Sequence, residues 1–108
     1  MPTQPKRDVF QAIADPTRRA ILLLIATQAM TPNALAEQFD STRQAVSKHI
    51  KILNEARLVK PKKVGREIYY EVNAAQIKEI DKWMEKFKGL LEQRFSQLDD
   101  VLSKLKTK

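Results

Sequence analysis

Residues Ser41–Leu53 read STRQAVSKHIKIL. At about 100° per residue an α-helix places Val46, Ile50 and Leu53 on one side, with Ala45 and Ile52 widening the apolar arc. The opposite arc collects Gln44, Ser47, Lys48 and Lys51, with Arg43 at its edge. None of these is acidic. A merely solvated face mixes charge signs, because opposite charges one helical turn apart add a few tenths of a kcal/mol. This face offers only donors and cations, the chemistry of a surface that meets an anion.

Upstream, Thr31-Pro32 is a cap followed by a proline at the first helical position, where a missing N–H costs nothing. It opens a short helix, Asn33 to Phe39, with Leu35, Ala36 and Phe39 turned inward. Ser41 or Thr42 then caps the helix of the quoted stretch, and both residues compete for that role. Two short helices joined by a tight turn, the second with an acid-free face, form a helix-turn-helix arrangement. Asp15-Pro16 repeats the cap-and-proline signal and starts DPTRRAILLLIA, while Arg7 to Ala14 forms a short first helix carrying Val9, Phe10 and Ile13 on one side. Arg18 and Arg19 lie in the first turn of their helix, where the dipole disfavours cations, so they are expected to pair with acids or phosphate.

Downstream, LVKPKKVGREIYYEVN enters an extended run at Val59, which Pro61 confines to an edge. VGR supplies a turn with Gly65 available for positive φ, and Ile68, Tyr70 and Val72 alternate with Tyr69 and Glu71 as a half-buried strand. The hairpin tip is expected to hold Lys60, Lys62, Lys63 and Arg66. A cationic hairpin directly after such a helix is a wing. A long helix, roughly Ala75 to Ser103, follows without a proline. Ile77, Met84, Leu91, Leu98 and Leu105 recur every seven residues, Ile80, Phe87 and Val101 stand three further on, and Leu90, Phe95 and Leu102 broaden the stripe while Arg94 interrupts it. At about 1.5 Å per residue this rod is on the order of 43 Å long, more than so small a domain can cover, and the far half calls for a second chain. Ile77, Ile80 and Met84 suit an intrachain core, and Trp83 lies beside the stripe, open to either use.

The 108 residues carry 20 Lys and Arg against 13 Asp and Glu, a net charge of +7. Residues 41 to 73 hold eight cations and three anions, against four and four before them and eight and six after them. The basic charge is therefore local, as for a polyanion footprint. The absence of Cys removes disulfides and thiolate metal sites, and the single His49 has no second His or Cys to complete a zinc site; a packed or phosphate-reaching role suits it better. There is no Gly-rich phosphate loop and no acid in a setting that would tune its pKa, so an enzyme is not expected, and neither is a cofactor. The opening MPTQPKRDVF lacks an apolar signal core and the longest apolar run, AILLLIA, is too short for a bilayer. A cytoplasmic protein of one domain, 1–108, with no membrane partner is expected.

In this order, FQAIADPTRRAILLLI, TPNALAEQF, AVSKHIKILNEARLV and GREIYYEV closely resemble the ArsR-type winged helix-turn-helix repressors, over roughly residues 7 to 85. The resemblance implies a mainly α fold with a β-hairpin wing and a long C-terminal dimerisation helix. It further implies a homodimer built from the first and last helices, a recognition helix from about Thr42 to Glu55 in the major groove of double-stranded DNA, and a wing over the flanking backbone. Val9 and Phe10 join Phe87, Leu91, Phe95, Leu98 and Leu102 as the expected dimer interface. Metal sites of the family do not carry over, because the matching segments LAEQF and IKEIDKWMEKF contain neither Cys nor His. Arg57 stands where the family often has Gly, so a left-handed cap there would cost about 1 kcal/mol. The expected function is a homodimeric repressor of a pseudo-palindromic operator, with Gln44, Ser47 and Lys48 reading bases and Thr31, Thr42, Arg43, Lys51, Lys62, Lys63 and Arg66 on phosphates. A winged-helix protein-interaction or RNA-binding module is the alternative.

Overall fold

The computed structural model describes residues 7–106. The reading of the opening segment as lacking a leader falls largely outside them. The elements are α1 (Val9–Ala12), α2 (Pro16–Thr27), α3 (Pro32–Gln38), α4 (Arg43–Glu55), β1 (Val59–Val64), β2 (Glu67–Val72) and α5 (Ala74–Lys106). They group into two compact units, one running to Ile77 and the other from Lys78 onward.

In the first unit α4 is the hub. α1, α2, α3 and β1 all pack on it, and α2 also packs on β2. Its inward residues Val46, Ile50 and Leu53 are buried together with Ile21 and Ile25 of α2, Leu35 and Ala36 of α3, and Leu58 and Val59 at the entry to the hairpin. Removing a Leu, Ile or Val side chain from water contributes about 1.5–3 kcal/mol, so this cluster is what orders four short helices, none of which is stable alone. Val9, only 4% exposed, belongs to this core too. Its expected place on a dimer face is corrected: a side chain covered by its own chain has no surface left for a second copy. Phe10 is half-buried.

α1 is shorter than Arg7 to Ala14. Asp8 caps it by accepting from the Gln11 amide at 3.3 Å, and Arg7 is drawn away to Glu55 at the far end of α4, with Nε to Oε1 at 2.7 Å. The guanidinium groups of Arg18 and Arg19 reach backbone carbonyls instead of a carboxylate. Arg18 Nε donates to the Ala12 carbonyl at 2.7 Å and Arg19 Nη1 to that of Ile13 at 2.8 Å. The cations at the start of α2 thus face the carbonyl end of α1, where the local dipole is negative, and the penalty at one helix end becomes a cap for another.

The hairpin is antiparallel, Val59 facing Val72 and Val64 facing Glu67. Tyr70 also makes a bridge to Met30, just before α3: its amide donates to the Met30 carbonyl at 2.8 Å and its carbonyl accepts from the Met30 amide at 3.1 Å. Because both backbone groups of Tyr70 are spent on Met30, its opposite number Pro61 faces a residue that needs no donor, which is where a strand tolerates proline. This bridge ties the root of the wing to the helix-turn-helix.

The second unit is the body of α5. The helix begins one residue earlier and ends three residues later than the sequence suggests, and none of its residues is buried. Trp83 and Phe87 stack with ring centroids 5.0 Å apart, which places Trp83 on the apolar stripe. Phe87, Leu91, Phe95, Leu98 and Leu102 are all exposed, as are Met84, Leu90, Val101 and Leu105. Among the described residues, no helix is long and apolar enough to cross a membrane.

Candidate nucleic-acid interface

The start of α4 is settled by its cap. Thr42 Oγ1 accepts from the Ala45 amide at 3.1 Å, while the amide of Ser41 donates back to the Ala36 carbonyl at 3.0 Å. Ser41 therefore closes α3 and Thr42 opens α4. Between the helices Asp40 takes a φ of 48°, a left-handed turn that a short polar side chain tolerates better than most. The far end of α4 closes the same way. Arg57 has φ 61°, its amide donates to the Asn54 carbonyl at 3.0 Å, and the Leu58 amide donates to that of Leu53 at 3.0 Å. This is a Schellman closure with its apolar contact, Leu53 and Leu58 both fully buried, and the cost of left-handed Arg57 is carried by that packing. Asn73 adds a latch, its Nδ2 donating to the Arg57 carbonyl at 2.8 Å.

With both ends fixed, the outward arc of α4 is set. Arg43, Gln44, Ser47, Lys48 and Lys51 are all exposed. His49 is half-covered, its Nδ1 lying 3.9 Å from the carboxylate of Asp15, the cap of α2, and making no hydrogen bond of its own. The packed reading of His49 is the one its position fits. Asp15 is held below the usual carboxylate range, chiefly because its carboxylate accepts from the Arg18 amide, at 3.0 Å, with the Arg18 and His49 charges adding to the effect.

The wing departs from the expected tip. Gly65 and Arg66 form a two-residue turn, Gly65 at φ 62°, while Lys60, Lys62 and Lys63 lie along β1. Lys62 faces Tyr69 and Lys63 faces Ile68, so alternation puts them on opposite faces of the hairpin. Lys60 is paired across the strands with Glu71 at 3.8 Å. Ile68 is 45% exposed rather than half-buried, because the hairpin near its turn extends past the core.

One groove joins the pieces. Thr31, Arg43, Ser47, Arg66, Ile68 and Tyr70 line it, bringing the N-cap of α3, the start of α4 and the wing turn around a single open space. Thr31 Oγ1 accepts from the Ala34 amide at 3.1 Å, fixing the α3 end of the groove. Two arginines, Arg43 and Arg66, and the hydroxyl-bearing Thr31, Ser47 and Tyr70 line this space, donors suited to phosphate oxygens. Gln44, Lys48 and Lys51 stand on the open side of α4 outside this groove, and Lys62 and Lys63 do not line it either. Glu67 does line it, and accepts from the Tyr69 hydroxyl at 3.3 Å. Sequence reasoning had passed over Glu67, although its place directly after the turn residue was a usable signal. Among the described residues no three His, Cys, Asp or Glu side chains gather in a way that could hold a metal ion.

A family of helix-turn-helix domains matches residues 13–61. The chain is 38% identical over 80 residues to the transcriptional repressor SdpR of Bacillus subtilis, covering 74% of this chain and 89% of that one. It spans about half the length of two longer relatives, covering 56% and 52% of them. Among solved structures, an ArsR-like transcriptional regulator from Rhodococcus is 30% identical with a TM-score of 0.73, over 86% of this chain and 88% of that chain. A homodimeric winged helix-turn-helix domain from Mycobacterium bovis, 21% identical over 74% of this chain and 75% of that chain, shares the fold with a TM-score of 0.63. The chain belongs to the ArsR-type family of winged helix-turn-helix transcriptional regulators.

Proposed function

We propose that the chain acts as a single cytoplasmic DNA-binding domain spanning 1–108, paired as a homodimer, and represses transcription by occupying a pseudo-palindromic operator. Two copies of α4 enter successive major grooves about 34 Å apart. Gln44, Ser47 and Lys48 read base edges: Gln suits adenine N6 and N7, Lys suits guanine O6 and N7, and Ser serves either. Thr31, Thr42, Arg43, Lys51 and Arg66 hold phosphates, and Lys62 and Lys63 supply charge from the two faces of the wing. The groove shared by Thr31, Arg43, Ser47 and Arg66 carries this reading, because three elements present donors to one space. Dimerisation through Phe87, Leu91, Phe95, Leu98 and Leu102 is supported by the exposed stripe they form, and by the homodimeric relative of the same fold. No metal has a role in this proposal, since the chain offers neither Cys nor a second His.

The test is a binding series on a duplex selected from a random pool. If the dimer neutralises six to ten phosphates, affinity falls by about 10³-fold or more between roughly 50 and 200 mM salt. The selected duplex should also outcompete bulk DNA by about 10³-fold or more, and a failure to do so would mark a protein-interaction or RNA-binding module instead.

A further inference from the structure

The stripe of α5 carries one interruption that the proposed dimer leaves unused. Met84, Leu91, Leu98 and Leu105 form one row at seven-residue spacing, Ile80, Phe87 and Val101 form a second, and Arg94 occupies the second row between Phe87 and Val101. A cation in such a seam costs stability and is kept where it selects one pairing over its rivals. We infer that Arg94 sets the direction and register in which two copies of α5 pair, an inference that rests on the homodimer proposed above.

In a parallel, in-register pair each residue faces its own copy, so two guanidiniums would share one layer and repel. An antiparallel pair sets one row against the other and moves the two arginines apart along the axis. The register with its two-fold axis at Gly89 places Phe87 against Leu91, Ile80 against Leu98 and Arg94 against Met84. Arg94 and its copy are then separated by the ten positions from 84 to 94, about 15 Å at 1.5 Å per residue. Registers that put Arg94 against Leu91 or Leu98 bring the two cations within about 6 Å along the axis and are disfavoured. In the Gly89 register Asp81 stands opposite Gln97, about 4.5 Å along the axis from Arg94 of the other copy, so the one cation of the seam has an acid within one helical turn. Lys88, near the two-fold axis, is already held by Glu85 at 3.6 Å within its own helix.

The chain contains no Cys, so single cysteines placed on exposed positions of the full chain report which residues meet their own copy. Leu90→Cys, beside the axis, should oxidise to a linked dimer in most molecules, and Leu98→Cys or Leu105→Cys to less than about a tenth of that, because separated Cα atoms cannot be bridged. Arg94→Leu should raise linking through Leu98→Cys at least about five-fold by admitting other pairings, Arg94→Ala should do the same without added apolar surface, and Arg94→Lys should keep the original pattern. Linking at all three positions with Arg94 in place, or a pattern that Arg94→Leu and Arg94→Ala leave unchanged, overturns the role of Arg94 while the dimer stands. A monomeric mass for the unmodified chain overturns the dimer and this inference together.

Discussion

The unit that ends at Ile77 and the helix that continues from Lys78 carry the same kind of sequence signal, yet they spend it differently. In the first, the apolar arcs of four short helices and a hairpin close on one another, and Ile21, Leu35, Leu53 and Leu58 lose all contact with water. In α5 an apolar stripe as regular as any in the chain leaves no residue fully buried, and from Trp83 to Leu105 its apolar side chains are exposed. Periodicity names the face of a helix that seeks burial, and it says nothing about which chain supplies the partner. The difference also separates two kinds of surface: the first unit, the head, presents its donors from a closed core, and α5 leaves an apolar stripe uncovered.

The contrast breaks most visibly in the core. Leu53→Ala leaves a cavity under α4 and removes the apolar contact of its C-terminal closure, and should destabilise the head by about 2–5 kcal/mol in urea unfolding. That loss should not depend on protein concentration. Phe95→Ala combined with Leu98→Ala should instead weaken self-association by about 10- to 100-fold in sedimentation, while the head keeps its intrinsic stability. Equal, concentration-independent losses in both variants would erase the distinction between the two regions.

Within the head, Gln44→Ala should cost about 1–3 kcal/mol of discrimination between operator and altered sites, whereas Arg66→Ala should weaken all sequences alike and lower the salt slope by about one. Competition binding with matched and mismatched duplexes separates the two. Arg57→Gly should stabilise the head by about 0.5–1 kcal/mol, since glycine takes the left-handed cap without strain and the Asn73 latch grips the backbone rather than the side chain. The smallest effect concerns Asp15. Its folded pKa lies below the ordinary carboxylate value, so its contribution is complete above about pH 4 and is lost as pH falls through the folded value. Asp15→Asn should flatten that acid limb of a stability-against-pH curve by slightly lowering stability in the neutral range, where the charged cap contributes, while stability below the folded value stays nearly unchanged.

Much of this was legible in the residues themselves. The caps Asp15, Thr31 and the pair Ser41 and Thr42 marked three helix starts, and Gly65 marked the wing turn, because capping and left-handed φ are local requirements met by particular side chains. The acid-free arc of α4 was equally plain. What misled was context: Arg18 and Arg19 were expected to pair with acids or phosphate when the carbonyl end of α1 lay within reach of their guanidiniums, and the wing lysines were gathered at a tip when strand pairing spread them over two faces. Val9 looked like an interface residue until the packing of α1 on α4 covered it.

Chain order alone established which segments are helical, where the hairpin turns and which arc of α4 is free of acids, because dihedral preference, capping and periodicity act over a few neighbouring residues. Only tertiary structure decided that Thr31, Arg43, Ser47 and Arg66 share one groove, that Met30 pins the wing through Tyr70, and that Glu67 sets an acceptor beside those donors. Those relations span up to some forty positions, and they follow from how the apolar faces close together, a property of the whole core rather than of any window within it.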